Sequence, residues 1–242
     1  MTHACAAGEI VLYLFIPPKG RKEDGTMKEK AVLFDFDYTL GDATESILAG
    51  YRYGLEKLGW PEPTDENVKK TIGYSLEDGY IMLTGDRDAE HQKRFAEFFR
   101  EKSHPIQVET AKLFPGALEL LKALKDVGIL TAVVSTKADR TLLGVLDKTG
   151  ASQYLQFAIG SSCLTRVKPD PEGILLALKR LGLKPEEALY CGDTVMDAEA
   201  AFRAGCGFCA VLNGTTPAEA FEKWPVRHIA RDLADLKNWL GV

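Results

Sequence analysis

Apolar positions along this chain follow two alternating rhythms. The run Ala31–Phe34 is short and wholly apolar, which predicts a strand buried on both faces. After Pro115-Gly116, residues Ala117, Leu120, Leu121 and Leu124 recur at helical spacing. Leu130–Val134 and Leu155–Ile159 read as further strands. Ile174, Leu175, Leu178 and Leu181 mark a helix that stops near Gly182. Ala188–Cys191 predicts a strand, Met196–Ala204 a helix and Phe208–Leu212 a strand. Val226–Ala230 precedes a terminal helix carrying Leu233, Leu236 and Leu240. Such alternation predicts βαβ units: an α/β fold with a doubly wound, Rossmann-like parallel sheet covered on both faces.

Residues 42–113 interrupt this rhythm with helical patterns and almost no strand. Ile47–Gly59 is one helix candidate. Asp88–Lys102 is another, a charged helix with Phe95, Phe98 and Phe99 on one side. The expected organisation is a core of 27–41 plus 114–242, with an all-helical cap domain, 42–113, inserted after the first strand. Pro17 to Gly25 (PPKGRKEDG) reads as a linker. The expectation is therefore that Met27 is the natural start, or that residues 1–26 are a poorly ordered extension.

Composition narrows the function. The 242 residues are 45% hydrophobic and 27% charged, the balance of a globular protein. A net charge of −5 argues against non-specific nucleic-acid binding, which requires positive potential. The N-terminal apolar run Ile10–Ile16 falls far short of the ~20 residues of a membrane span. The five cysteines are odd in number and dispersed, so reduced thiols of a cytoplasmic protein are expected. Cys206 and Cys209 form a lone C-x-x-C without a second ligand pair, and they read as buried thiols. His91 and His104 read as solvated or packing residues of the cap.

Ligands of open parallel sheets sit outside the carboxyl ends of the strands. At those ends this sequence carries Asp35-Phe36-Asp37-Tyr38-Thr39, then Ser135-Thr136-Lys137, then Asp193-Thr194-Val195-Met196-Asp197. Lys168-Pro169-Asp170 precedes the helix at Ile174. Several carboxylates in one cleft repel unless a cation neutralises them. Oxygen ligands without His or Cys suit Mg²⁺. Lys168 supplies the opposite charge and Ser135 a hydroxyl. The combination points to phosphoryl transfer, which depends on positioning and charge stabilisation.

In this order the motifs resemble those of haloacid dehalogenase-like hydrolases, in the branch near phosphoglycolate phosphatases, from about Lys30 to about Gly214. The resemblance implies that Asp35 is the nucleophile and forms an aspartyl-phosphate. It implies that Asp37 is the acid that protonates the leaving oxygen and the base that activates water. Thr39, Ser135, Thr136 and Lys168 would hold phosphate. Asp35, the Asp37 backbone carbonyl and Asp193 would bind Mg²⁺, and Asp197 would support the metal's water. Tyr38 stands where the family most often has Gly, which places a bulky ring near the mouth. Thr136 replaces a common Asn. An Asp two residues after the nucleophile marks phosphatases and phosphomutases.

The cap would close over a small phosphorylated metabolite. Its candidate contacts are Gly73, Tyr74 and Ser75 in a break between helices, and Arg52. Alternatives are a phosphomutase of the β-phosphoglucomutase type, a pyrophosphatase or nucleotidase, a phospho-acceptor receiver, or a non-catalytic binding protein. Oligomeric state is not encoded legibly.

Overall fold

Nine helices and eight strands are assigned in the computed structural model, which describes residues 29–242. The expected extension at 1–26 and the start at Met27 lie outside the described residues. In chain order the elements begin with β1 (Ala31–Phe34), β2 (Gly41–Asp42), α1 (Thr44–Lys57), α2 (Asp65–Lys69), α3 (Leu76–Thr84), α4 (Ala89–Thr110) and β3 (Lys112–Leu113). There follow α5 (Ala117–Asp126), β4 (Leu130–Val134), α6 (Asp139–Lys148), β5 (Phe157–Ile159) and α7 (Glu172–Leu181). The chain ends with β6 (Ala188–Gly192), α8 (Val195–Ala204), β7 (Gly207–Val211), β8 (Val226–Ala230) and α9 (Leu233–Leu240).

Six strands form one sheet in the order β5-β4-β1-β6-β7-β8, and every pairing in it is parallel. Strand β1 has no exposed face. Val32 and Phe34 enter one apolar layer, with Leu120, Leu121, Leu142, Val145 and Leu236 from α5, α6 and α9. Ala31 and Leu33 enter the other, with Ile174, Leu178, Ala198 and Ala201 from α7 and α8. This two-sided burial explains the unbroken apolar run of the first strand. The chain winds one way from β1 to β4 and β5 and the other way to β6, β7 and β8. The switch point, where ligands of such sheets bind, is therefore the carboxyl end of β1.

Between β2 and β3, which pair antiparallel, the chain forms α1 to α4. Their shared interior is aromatic. Tyr51, Tyr80, Phe95 and Phe99 are buried, and Phe95 lies 5.2 Å from Tyr51 and 5.1 Å from Tyr80 between ring centroids. Phe98 instead packs against Tyr53 on the outside. The Phe cluster of the sequence is thus a packing feature at two of its three positions and a surface ring pair at the third.

Several boundaries differ from the sequence expectation: α1 spans Thr44–Lys57 rather than Ile47–Gly59, and α6 lies where no helix was placed. Strand β5 starts at Phe157 rather than Leu155, because Ser152–Tyr154 forms a 3₁₀ turn just before it. Helix α4 continues to Thr110, through Pro105, instead of ending near Lys102. Its added turns are held by tertiary contact. Val108 packs where α6 presents Gly144, and Lys148 pairs with Glu109 at 2.6 Å. Packing of this kind outweighs the local cost of one proline. Among the described residues, no helix is long and apolar enough to cross a membrane.

Helix α1 approaches α4 so closely that a Cβ on Gly50 would lie 2.6 Å from the Phe99 ring. Gly50→Ala gains ~1 kcal/mol of helix propensity. It loses ~1–3 kcal/mol to overpacking. The expected outcome is a net destabilisation of about 1 kcal/mol in urea unfolding followed by circular dichroism. An equal or higher midpoint would show that the ring moves aside at no cost.

Candidate active site

Three strand ends and one loop bring the chemistry together. The main chain of β1 ends at Phe34, and Asp35 follows with its amide bonded to the Cys191 carbonyl of β6 at 2.9 Å. Asp35, Asp193 and Asp197 are all buried and offer carboxylate oxygens within 4.8 Å of one another. Lys168, also buried, reaches between two of them. Its Nζ lies 2.9 Å from Asp35 Oδ2 and 2.5 Å from Asp197 Oδ1. Gly192 permits this crowding, since a Cβ there would lie 2.4 Å from Asp197 Cγ.

Asp197 is fully engaged. Its Oδ1 also lies 3.3 Å from the Tyr190 hydroxyl, and its Oδ2 accepts from the Thr194 amide at 2.9 Å and the Thr194 hydroxyl at 2.6 Å. Thr194 returns the favour by capping α8, accepting from the Asp197 amide. Asp197 therefore fixes both Lys168 and the 192–197 turn. The contrast is with Asp35 Oδ1, Asp37 Oδ1 and Asp193 Oδ1, which are buried without a hydrogen-bond partner among the described residues.

Asp37 has a partner that the sequence reading passed over. Lys137, almost completely buried, places Nζ 2.9 Å from Asp37 Oδ2. The Ser135 hydroxyl, two residues earlier, accepts from the Lys137 amide at 3.3 Å. The signal for Lys137 lay in the sequence, in the Ser135-Thr136-Lys137 triplet that follows β4. What the sequence lacked was the fold that places it against the loop after β1. The hydroxyl of Thr39 is buried and likewise has no partner among the described residues.

Charge at this rim is unbalanced. Four buried carboxylates, Asp35, Asp37, Asp193 and Asp197, face two buried ammoniums, Lys137 and Lys168. Burial lifts the Asp35 carboxyl to about 6; Lys168 opposes the rise, and Asp197 and Asp37 add to it. Burial also pushes Asp193 well above the usual carboxylate range, reinforced by Asp197 and Asp35. Burial alone would lower the Lys168 ammonium, but Asp197 and Asp35 outweigh it and hold the lysine charged. The excess of two negative charges equals the charge of one divalent cation. The unpartnered oxygens of Asp35 and Asp193 are the hard donors that Mg²⁺ accepts. The residues present therefore fit such an ion.

Tyr38 adopts the left-handed conformation, with φ of 57°, the one non-glycine residue to do so among those described. That conformation costs a non-glycine residue roughly 1 kcal/mol or more. Its ring is not at the mouth. It is buried, packs 6.5 Å from Phe114, and its hydroxyl accepts from Thr44 Oγ1 at 3.0 Å. Tyr38 thus touches both crossings between the sheet and the helical insertion.

The insertion reaches the rim through its 71–75 turn. Gly73, with φ of 96°, approaches so closely that a Cβ would lie 2.7 Å from Thr194 Cγ2. Gly73, Tyr74 and Ser75 line a cavity of about 460 Å³ together with Asp37, Thr136 and Lys137. Arg52 does not. It pairs with Asp65 and with Glu62 on the insertion's outer side, and its expected place in the cavity is corrected. The reason is local: Asp65 opens α2 beside it, and the pair forms within the insertion. Arg100 and Gln107 of α4, which the sequence reading left aside, line the cavity instead, together with His104, which it read as a solvated or packing residue. Cys209 sits in register with Cys191 of β6, and burial pushes the Cys206 thiol up to about 12.

The sequence profile of the haloacid dehalogenase-like hydrolase family matches residues 32–211. A phosphoglycolate phosphatase of Aquifex aeolicus is 34% identical over 185 residues, covering 76% of this chain and 85% of that one. The pyrophosphatase PpaX of Bacillus velezensis is 29% identical over 212 residues, covering 88% and 96%. A crystal structure of a haloacid dehalogenase-like protein from Bacteroides fragilis superimposes with a TM-score of 0.83 at 38% identity, covering 86% of this chain and 99% of that one.

The buried charge excess has a measurable consequence. A carboxyl whose pKa is raised in the folded state binds protons more tightly there than in the unfolded chain. Its ionisation therefore destabilises the metal-free fold, beginning above the ordinary carboxylate pKa and, for Asp35, complete above about pH 6. Asp193→Asn removes one such charge. At pH 7.5 in EDTA its Tm is expected to exceed wild type, by roughly 2–4 °C per kcal/mol relieved. Added MgCl₂ is expected to raise Tm in the wild type and not in the variant. A variant that melts below wild type in EDTA would contradict the charge imbalance.

Proposed function

The chain belongs to the haloacid dehalogenase-like hydrolase family, and we propose that it is a Mg²⁺-dependent phosphatase acting on a small phosphorylated metabolite through a phospho-Asp35 intermediate. The observation that carries this reading is the pairing of two carboxylates of different surroundings after β1. Asp35 is buried against Lys168 with one oxygen unpartnered, and Asp37 is tethered by Lys137 at the edge of the cavity. Names among the relatives, phosphoglycolate phosphatase and pyrophosphatase, support a phosphate ester or anhydride as substrate.

In this reading one carboxylate oxygen of Asp35 attacks phosphorus. The new P–O bond forms as the bond to the leaving oxygen breaks, and Asp37 gives that oxygen a proton. Asp37, now ionised, takes a proton from water, which attacks phosphorus and frees Asp35 with release of phosphate. Lys168 neutralises the phosphoryl oxygens and holds Asp35 in place. Ser135, Thr136 and Thr39 contribute donors around the transferred group. Asp197 acts at one remove, as the residue that positions Lys168 and the Thr194 turn. Asp35, Asp193 and the Asp37 carbonyl would hold Mg²⁺, which supplies charge stabilisation for the phosphoryl group. Segment 42–113 is the cap in this reading. Its 71–75 turn and α4 wall the cavity and exclude water from the phosphoryl group.

Asp35 must be ionised to attack, and without metal its carboxyl titrates at about 6. Phosphate release would be measured from phosphoglycolate, pyrophosphate, nucleotide monophosphates and hexose phosphates, with Mg²⁺ and with EDTA. The expected outcome is metal-dependent release from at least one compound and none above background from Asp35→Asn. Asp37→Asn is expected to lose about 10²–10⁴-fold in kcat, the usual contribution of a general acid–base, while KM changes little. Wild-type turnover by Asp35→Asn would overturn the nucleophile assignment.

A further inference from the structure

We infer that Arg100, His104 and Gln107 of α4 form the subsite that selects the substrate, and that this subsite takes a second anionic group carried by the substrate beyond its phosphoryl group. The inference rests on the phosphatase reading and adds to it the class of substrate.

The three residues are spaced i, i+4 and i+7, so they share one face of the helix. All three line the same cavity as Asp37, Thr136 and Lys137. The face is held over the rim by tertiary packing, because the C-terminal turns of α4 dock on α6 through Val108 and Glu109. A volume of about 460 Å³ suits a small metabolite.

Each residue is uncommitted. Arg100 makes no hydrogen bond or ion pair among the described residues, whereas Arg52 of the same insertion is fully occupied by Asp65 and Glu62. The Gln107 side chain is 4% exposed, yet its amide also bonds to no described residue. His104 is half-buried, and the charged groups acting on it are Arg100, Lys137 and Arg140, all cationic. Burial and those cations keep its pKa below the ordinary histidine value, so at neutral pH it presents an uncharged N–H.

Of the acids that line the same cavity, Asp37 is held by Lys137, and Glu77 of α3 is exposed, as Arg100 is. A planar fork, an imidazole N–H and a carboxamide on one helix face are donors matched to a carboxylate or to a second phosphate. Both share the chemistry of an oxyanion, and a neutral alcohol or an apolar tail would leave the arginine and the amide unpaired.

The test compares 2-phosphoglycolate with ethyl phosphate, in which a methyl replaces the carboxylate, with Mg²⁺ present. Ethane-1,2-diol bisphosphate is a third substrate that separates the carboxylate from the phosphate source. Wild type is expected to favour at least one anionic-tailed substrate over ethyl phosphate by tenfold or more in kcat/KM. Arg100→Ala is expected to lose at least tenfold of that ratio, chiefly through KM of the anionic-tailed substrate, and Arg100→Lys to recover part of it. His104, followed by NMR, is expected to titrate at higher pH when the anionic substrate binds to the Asp35→Asn protein. An unchanged ratio in both Arg100→Ala and His104→Ala would overturn the subsite while leaving the phosphatase standing. If no ester is hydrolysed, calorimetric titration of 2-phosphoglycolate and of the bisphosphate into wild type and Arg100→Ala still decides it. Binding of either that weakens tenfold or more in the variant supports the subsite without turnover, and equal or absent binding of both refutes it.

Discussion

Lys168 held between Asp35 and Asp197 is the interaction on which the rest of this site depends. A carboxylate at the end of β1 and another in the first turn of α8 cannot be buried within a few ångströms of each other without a cation. The lysine comes from the loop before α7, on the far side of β4, so that loop, β1 and the turn before α8 are tied at one point. Asp197 anchors the lysine while its other oxygen closes the Thr194 turn, and that turn places Asp193 beside Asp35. One ammonium satisfies only part of the buried charge. The remainder is what makes the site receptive to a divalent ion, at a cost to the stability of the fold without one.

A second tie crosses from the sheet to the helical insertion. Tyr38 accepts a backbone conformation that glycine would adopt without strain, and its ring and hydroxyl meet Phe114 and Thr44 where the chain leaves and re-enters the sheet. Gly73 meets Thr194 on the opposite wall. The insertion is therefore not a separate body resting on the rim. It touches the loop after β1, the turn before α8 and, through α4, the helix that follows β4. A change in its attitude would be felt at Asp37 and Asp193 through these contacts, which is the coupling a closing cap requires.

The alternating apolar runs were enough to place the strands and most helices of the core, because burial on both faces of a parallel sheet leaves an unbroken signature in four or five residues. The carboxylates, the hydroxyls and Lys168 were legible for a related reason: chemistry in such sheets collects at strand ends, and strand ends could be read. Boundaries were less legible where tertiary contact prolonged an element. Helix α4 passes through Pro105 because Val108 and Glu109 find partners on α6, and no local rule contains that information. The Phe95, Phe98 and Phe99 cluster shows the same limit, since its spacing could not say that Phe98 would face outward to Tyr53.

By itself the sequence determined the fold class, the order of the strands of the parallel sheet along the chain, the helical insertion after the first strand and the residue types that crowd the carboxyl ends of the strands. These follow from periodicity and from short motifs, which are properties of neighbours along the chain. Only the tertiary structure decided which groups became partners. It gave Asp37 to Lys137, engaged both oxygens of Asp197, turned Arg52 outward to Asp65 and Glu62, and brought Arg100, His104 and Gln107 to the cavity. Asp37 and Lys137 lie 100 positions apart, Lys168 and Asp197 29, and Arg52 and Asp65 13. Side-chain charge and hydrogen bonding act through distance in space, and distance in space is set by packing rather than by spacing along the chain.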